Sequence, residues 1–188
     1  MIEVVKLMYK ETIKLLKLQG VEFEAGLTYD EIIKIEKIYG IQFPKSLKEF
    51  LMEGLPVSNA FYNWRNVEHD NINFIKKIIT LPIETVDELA EEVCWCDDWG
   101  EKPENEMDIA EKVREKLKNA PKLLPIYAHR YMPMLLDEQI PVVSVHNTDI
   151  IYYGENLVDY FQVEFGLKNQ NEICFEKIKP IPFWSEIM

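Results

Sequence analysis

The stretch from Pro141 to Gly154 constrains the fold more than any other part of the chain. It holds two short runs rich in Val, Ile and Tyr, 142–145 and 150–153, separated by the turn-forming residues 146–149. β-Branched and aromatic runs bounded by Pro, Asn, Asp and Gly are typical of a β-hairpin. Because the runs are almost continuously apolar rather than alternating, we expect both strands to be buried on both faces, at the centre of a sheet.

Helical patterns lie on both sides of this predicted hairpin. The clearest begins at Thr28, where Glu31 completes a capping box, and ends at Gly40. Other helices are predicted over 3–19, from Pro44 to Gly54, from Asp70 or Asn71 to Pro82, from Asn105 to Pro121, and over 156–165. Short strands are predicted at 123–128, 130–132 and, as an edge strand, 172–175. Because helices and strands do not alternate regularly, the pattern predicts an α+β fold.

The segment between these elements, residues 84–103, is harder to assign. Thr85 and Glu88 resemble a second capping box, and residues 84–93 fit helical spacing. Residues 94–103 are predicted to form a loop because they contain Gly100 and Pro103.

The chain carries a formal net charge of −12, which argues against a nucleic-acid or anionic-membrane binder. The charge is concentrated locally, because residues 84–111 contain 12 acidic residues and one basic residue, Lys102. Two interpretations are open. The segment is a solvated helix face followed by a loop, or it is an acidic patch that docks a basic partner.

Composition predicts one globular domain. In 188 residues, 47% are hydrophobic and 12% aromatic, which suffices for a substantial core. No apolar run approaches the roughly 20 residues that span a bilayer, and the N-terminal residues lack the pattern of a secretory signal. Three cysteines fit no disulfide framework. We therefore expect a cytoplasmic protein without a membrane partner.

Few residues suggest chemistry. Cys94 and Cys96 supply two zinc ligands at best, and Cys174 is distant in sequence. His129 and His146, with Asp149, could serve a hydrolase, yet no nucleophile motif accompanies them, and turn residues of these types are commonly structural. The chain also lacks a phosphate-binding glycine loop and a calcium-binding loop at Asp97 and Asp98. We predict no enzymatic activity, no cofactor and no metal.

Trp95 and Trp99 lie within the acidic segment. Tryptophans beside charges are frequent anchors of protein interfaces, so both are candidate partner-binding residues. The alternative is that they fill the core beneath a loop.

Several motifs together resemble the SUKH superfamily, the Smi/Knr-type domain. Residues 28–51 resemble its signature start: a helix ending in Gly, a short apolar-x-apolar-Pro link, and a second helix with an inward Phe. Four further motifs fit a bacterial branch of the family: FYNWRN (61–66), WGEKP (99–103), PIYAHRYMP (125–133) and SVHNTDIIYYG (144–154). The resemblance covers about residues 28–165 of a single SUKH-like domain. Residues 1–20 add a helix, residues 166–188 form a tail, and the helical, acidic stretch 84–93 departs from the strand expected there.

The resemblance implies a single α+β domain with a mixed, mostly antiparallel central sheet wrapped by several helices. It implies no catalytic residues, and it gives structural roles to Gly40, Pro44, Trp64, Asp149 and Gly154. Many bacterial members are regarded as immunity proteins, which bind and neutralise a toxin domain, often a nuclease.

The residues and the resemblance together predict a non-catalytic protein-binding module, an immunity protein whose partner is a toxin domain with a basic surface. We expect Trp95 and Trp99 to anchor the partner. Four acidic side chains are expected to steer binding: Asp97, Asp98, Glu101 and Glu104. The alternatives are a small hydrolase that uses His129, His146 and Asp149, and a regulatory scaffold.

Overall fold

A computed structural model describes residues 2–58 and 60–188, with side chains from residue 7 onwards. The helices are α1 (Ile2–Leu18), α2 (Tyr29–Tyr39), α3 (Lys45–Glu53), α4 (His69–Glu88), α5 (Glu106–Leu117) and α6 (Leu157–Glu164). The strands are β1 (Phe23–Ala25), β2 (Gly54–Pro56), β3 (Leu123–Tyr127), β4 (Arg130–Pro133), β5 (Val142–His146) and β6 (Asp149–Gly154). The predicted α+β class is confirmed, and both sheets are antiparallel throughout.

The predicted hairpin forms one half of a four-stranded sheet with the order β3-β4-β5-β6. Its two-residue turn places Asn147 at a φ of 54°, a left-handed conformation that Asn tolerates better than most residues. β5 is an interior strand, and residues 142–145 are all buried, as expected. The expectation for β6 is wrong: among the described residues it pairs with β5 alone, which makes it an edge strand, and its Ile151 is 41% exposed.

Alternate side chains of the sheet enter two separate cores, as the two-residue period of a strand requires. The first core holds Leu124, Met132 and Val142 from the sheet and is covered by α1, α2, α3, α6 and the first half of α4. The second core takes the neighbouring positions Leu123 and Val143 and is covered by the end of α4, α5 and the C-terminal tail.

Local signals position the helices over the first core. The Thr28–Glu31 capping box forms as predicted, and Gly40 ends α2 with a φ of 59°. Pro44 then precedes α3. Trp64 is buried edge-on against Tyr39 and Phe43, so its expected place in the core is confirmed.

Helix α4 corrects three predictions. Pro82 does not end the helix, which continues to Glu88, and Thr85 therefore lies inside it rather than at a cap. Proline removes only one helical hydrogen bond, and the buried series Ile79, Pro82 and Val86 keeps one face against the interior. The helix also starts earlier than predicted: Glu68, rather than Asp70 or Asn71, occupies the N-cap position, and the Asn71 side-chain amide donates to the loop carbonyls of Asn63 and Asn66.

Both flanks of the chain pack into the fold. Thr12, Ile13 and Leu16 of α1 are buried, whereas the side chains of Val4 and Val5 lie outside the described residues. The predicted edge strand at 172–175 is wrong, because this region forms the 3₁₀ turns Gln170–Glu172 and Phe175–Lys177. Near the end of the tail, Trp184 is fully buried and donates its indole N–H to the Pro121 carbonyl at 2.8 Å.

Candidate functional site

The acidic lobe, residues 84–118, covers one side of the second core. All twelve acidic side chains of the 84–111 stretch are exposed. In the described part of the chain only one of them, Asp87, lies within ion-pair distance of a cation: its carboxylate accepts from Arg114 Nε at 2.9 Å. The lobe therefore presents a concentrated and largely uncompensated negative charge.

Helix α5 gives this charge a rigid support. Asn105 caps its first turn, because Asn105 Oδ1 accepts the Asp108 backbone N–H at 2.9 Å. Ile109, Val113 and Leu117 are buried against the second core, which leaves the opposite face in solvent.

The two tryptophans of the lobe occupy different environments. Trp99 is only 8% exposed; its indole N–H donates to Glu186 Oε2 at 2.6 Å, and its ring stacks on Phe183 of the tail. Trp99 therefore fills the core, which was the alternative to an anchor. Trp95 is partly exposed, packs edge-to-face with Trp99 at a centroid distance of 5.3 Å, and donates its N–H to the Gly100 carbonyl at 2.8 Å.

A concavity of about 340 Å³, here termed the aromatic pocket, opens beside the tryptophans. Its lining residues are Trp95, Trp99, Glu101, Pro103, Asp108, Glu111, Lys112 and Glu115. Three of the predicted site residues, Trp95, Trp99 and Glu101, are thus brought together. The others, Asp97, Asp98 and Glu104, are exposed on the lobe but do not line the pocket.

Sequence reasoning missed the wall of the pocket that α5 supplies. The signal was present, because positions 108, 111, 112 and 115 share one face of a helix. The i,i+4 spacing of Asp108 and Lys112 predicts an ion pair between them, but this prediction is wrong: Lys112 Nζ contacts Glu115 Oε2 at 2.9 Å. Asp108 instead accepts from the Asn105 side-chain amide.

A larger open groove of about 710 Å³ lies between α4 and α5. It is lined by Ile83, Glu84, Asp87, Glu111, Arg114, Glu115, Leu117 and Lys118. Because Glu111 and Glu115 line both concavities, the exposed face of α5 forms an acidic ridge between them.

The residues of the hydrolase alternative also come close together. The rings of His129 and His146 lie 6.4 Å apart between centroids, and both side chains are exposed, as is Asp149. Although the His129 side chain is exposed, partial desolvation of its ring and, next, the neighbouring Arg130 guanidinium lower the pKa of His129. Among the hydrogen bonds of the described residues, none joins either imidazole to a hydroxyl or thiol. The nearby Ser144 hydroxyl is buried and accepts from Arg130 Nη1 at 2.8 Å.

Arg130 belongs to a buried polar cluster that the sequence did not predict. It is 8% exposed, and its Nε donates to Glu164 Oε2 at 2.8 Å. Its guanidinium carbon lies 3.8 Å from the centroid of the Tyr153 ring. The cluster joins the end of α6 to the sheet.

Among the described residues, no three His, Cys, Asp or Glu side chains are grouped as a metal ion requires. Cys94 and Cys96 are free thiols. Within the same part of the chain, no helix has the length and apolar character needed to span a bilayer.

Comparisons with known proteins give no further assignment. No protein-family model, curated protein or solved structure matches the chain significantly. The resemblance to the SUKH superfamily therefore stays a prediction, and a functional inference depends on the surface described above.

Proposed function

We propose that this chain is a non-catalytic protein-binding module whose acidic lobe binds a basic surface of a partner protein. The observation that carries the proposal is the set of exposed acidic side chains at 84–111, of which one is ion-paired among the described residues. Exposed charges of a single sign contribute little to the stability of the fold. They accelerate association with an oppositely charged partner and orient the encounter.

The narrower proposal is that the partner is a toxin domain and that the chain is its immunity protein. The SUKH-like motifs support this narrower form. So does electrostatics, because a nuclease needs a basic surface to hold phosphates, and an acidic protein of suitable shape competes for that surface. Asp97, Asp98 and Glu104 would steer the encounter from the exposed turn and loop around Trp99.

The test is affinity capture of the tagged chain from its native cells at low and high salt, with bound proteins identified. We expect a basic protein to be captured at low salt and reduced at high salt, because counterions screen exposed charges. Capture of the same partner irrespective of salt, or of no protein under either condition, would contradict the proposal.

Charge reversal locates the binding surface. The double variant Asp97→Lys/Asp98→Lys should weaken binding of the captured partner by at least about tenfold at low salt. The matched control is Glu11→Lys/Glu22→Lys, which changes the net charge equally at exposed positions outside the lobe. Equal losses in both variants would show that total charge, not the lobe, governs binding.

The close imidazoles favour hydrolysis as a second candidate function. This alternative predicts ester or amide turnover by the purified chain that is lost in His129→Ala and in His146→Ala. Turnover by the unmodified chain no faster than that by the His129→Ala/His146→Ala double variant would exclude this alternative.

A further inference from the structure

The aromatic pocket has an unbalanced lining. Four carboxylates line it together with a single cation, Lys112; the four belong to Glu101, Asp108, Glu111 and Glu115. The Trp95 indole N–H is already bonded to the Gly100 carbonyl, so Trp95 offers the pocket its aromatic surface rather than a donor. The pocket therefore combines an aromatic wall with an excess of negative charge.

We propose that this pocket receives an arginine side chain of the partner protein. A cation gains energy both from an aromatic ring and from surrounding carboxylates. Arginine fits better than lysine, because its planar guanidinium stacks on an indole, donates in a fork to carboxylates and is more weakly hydrated. The inference deepens the proposed function by naming the chemistry of one contact, and it depends on that function for its biological meaning.

The chain's own lysines already show how a cation sits at this aromatic pair. Lys116 Nζ lies 6.0 Å from the centroid of a Trp99 ring, within the range of a cation–π contact. Lys112 lines the pocket and is held by Glu115 at 2.9 Å. An incoming guanidinium would be repelled by Lys112 and Lys116 and attracted by Glu111. Removing the charge of Lys112 should therefore raise the affinity for arginine, and removing the charge of Glu111 should lower it.

The first test uses short peptides in place of the unknown partner. Acetyl-Gly-Arg-Gly-amide would be titrated into the ¹⁵N-labelled chain at low ionic strength, beside its lysine and citrulline counterparts. The reporter is the indole N–H signal of Trp95, assigned with Trp95→Phe. We expect a saturable shift with arginine, a weaker one with lysine and none with citrulline, which keeps the shape but not the charge. Equal shifts with arginine and citrulline would overturn the proposal.

Two variants then test whether Lys112 and Glu111 change the affinity for the arginine peptide in opposite directions. Lys112→Met should tighten arginine-peptide binding by about two- to fivefold, and Glu111→Gln should weaken it by a similar factor. Glu91→Gln is the matched control, because it removes the same charge from an exposed position of the lobe that does not line the pocket. Weaker binding in Lys112→Met, or an equal loss in Glu91→Gln and Glu111→Gln, would contradict a specific arginine pocket.

The peptide titration tests the arginine pocket, and the capture experiment tests the proposed function, so either can be contradicted without the other. If a basic protein is captured with unchanged affinity by Glu111→Gln and Lys112→Met, the acidic lobe binds its partner without this pocket. If the arginine peptide titrates as expected and no protein partner is captured, the pocket stands and the proposed function fails.

Discussion

The segments that cover the two faces of the four-stranded sheet differ in how far their carboxylates are ion-paired. Over the first core, several carboxylates are ion-paired: Arg65 contacts Glu24 at 2.8 Å and Glu31 at 2.7 Å, and Lys168 contacts Asp159 at 2.6 Å. Over the second core, the acidic lobe leaves its carboxylates almost entirely in solvent. The paired carboxylates on the first side hold elements of the fold together, whereas all but one of the acidic side chains at 84–111 lack an ion-pair partner among the described residues.

Glu31 shows what a structural carboxylate looks like in this chain. It completes the cap of α2 by accepting the Thr28 backbone N–H at 2.7 Å, and it also accepts from Arg65 Nε. The same guanidinium reaches the carbonyls of Ala25 and Gly26. One acidic side chain thus connects the start of α2, the β1 segment and the loop after β2. Glu111, exposed on the ridge of α5, has no comparable set of contacts among the described residues.

The largest effect is expected from the second core itself. Trp184→Ala should lower the free energy of unfolding by about 3–5 kcal/mol, because it leaves a large cavity and an unpaired Pro121 carbonyl. Urea unfolding followed by circular dichroism measures this loss. Phe175→Ala is the matched control in the tail, since Phe175 is 53% exposed and its loss should cost far less. Comparable, small losses in both variants would mean that the tail is not part of the core.

A smaller loss is expected at the ion pair that fastens α6 to the sheet. Glu164→Gln should lower the free energy of unfolding by about 2 kcal/mol, because it leaves the buried Arg130 guanidinium without its counter-charge. The double variant Arg130→Met/Glu164→Leu should recover part of that loss, since no charge is then left unpaired. A double variant less stable than Glu164→Gln would show that the ion pair contributes favourably beyond its own desolvation.

Local chemistry explains which elements the sequence could predict. Thr28, Glu31 and Gly40 act within one or two turns of α2, and Asn147 acts within its own hairpin, so short motifs sufficed there. Pro82 shows where prediction from local sequence rules fails. The local rule predicts a break, but packing of the flanking helix face against the second core outweighs the lost hydrogen bond.

The candidate site was predictable only in part for the same reason. The acidic run and its tryptophans are visible in sequence, and their exposure follows from their polarity. That Trp99 is buried depends on Phe183 and Glu186, which are more than eighty positions away. The α5 wall of the aromatic pocket likewise arises only when α5 packs beside the turn that carries Trp95.

The pH dependence of stability sharpens the comparison between the two kinds of carboxylate. Hydrogen bonds from Arg65 and from the Thr28 backbone lower the pKa of Glu31 from 4.5 to about 2. Because the folded-state pKa is depressed, this stabilisation is complete above the unfolded pKa and is lost as the pH falls from about 4.5 towards 2. Glu31→Gln should therefore cost about 1 kcal/mol at neutral pH and progressively less in acid. Urea unfolding across that window measures the difference, and a Glu31 carboxyl that titrates near 4.5 by NMR would contradict it.

The smallest predicted effect has the opposite sign and compares the same chemical change on the two sides of the sheet. Glu91→Gln/Glu92→Gln should raise the free energy of unfolding by a few tenths of a kcal/mol, because it relieves repulsion among exposed like charges that have no ion-pair partner in the described part of the chain. The gain should shrink at about 1 M salt, where the screening length falls to roughly 3 Å. Urea unfolding at low and high salt measures both effects. A loss of stability in this variant would mean that these carboxylates serve the fold as Glu31 does, and the acidic lobe would then no longer carry the argument for a binding surface.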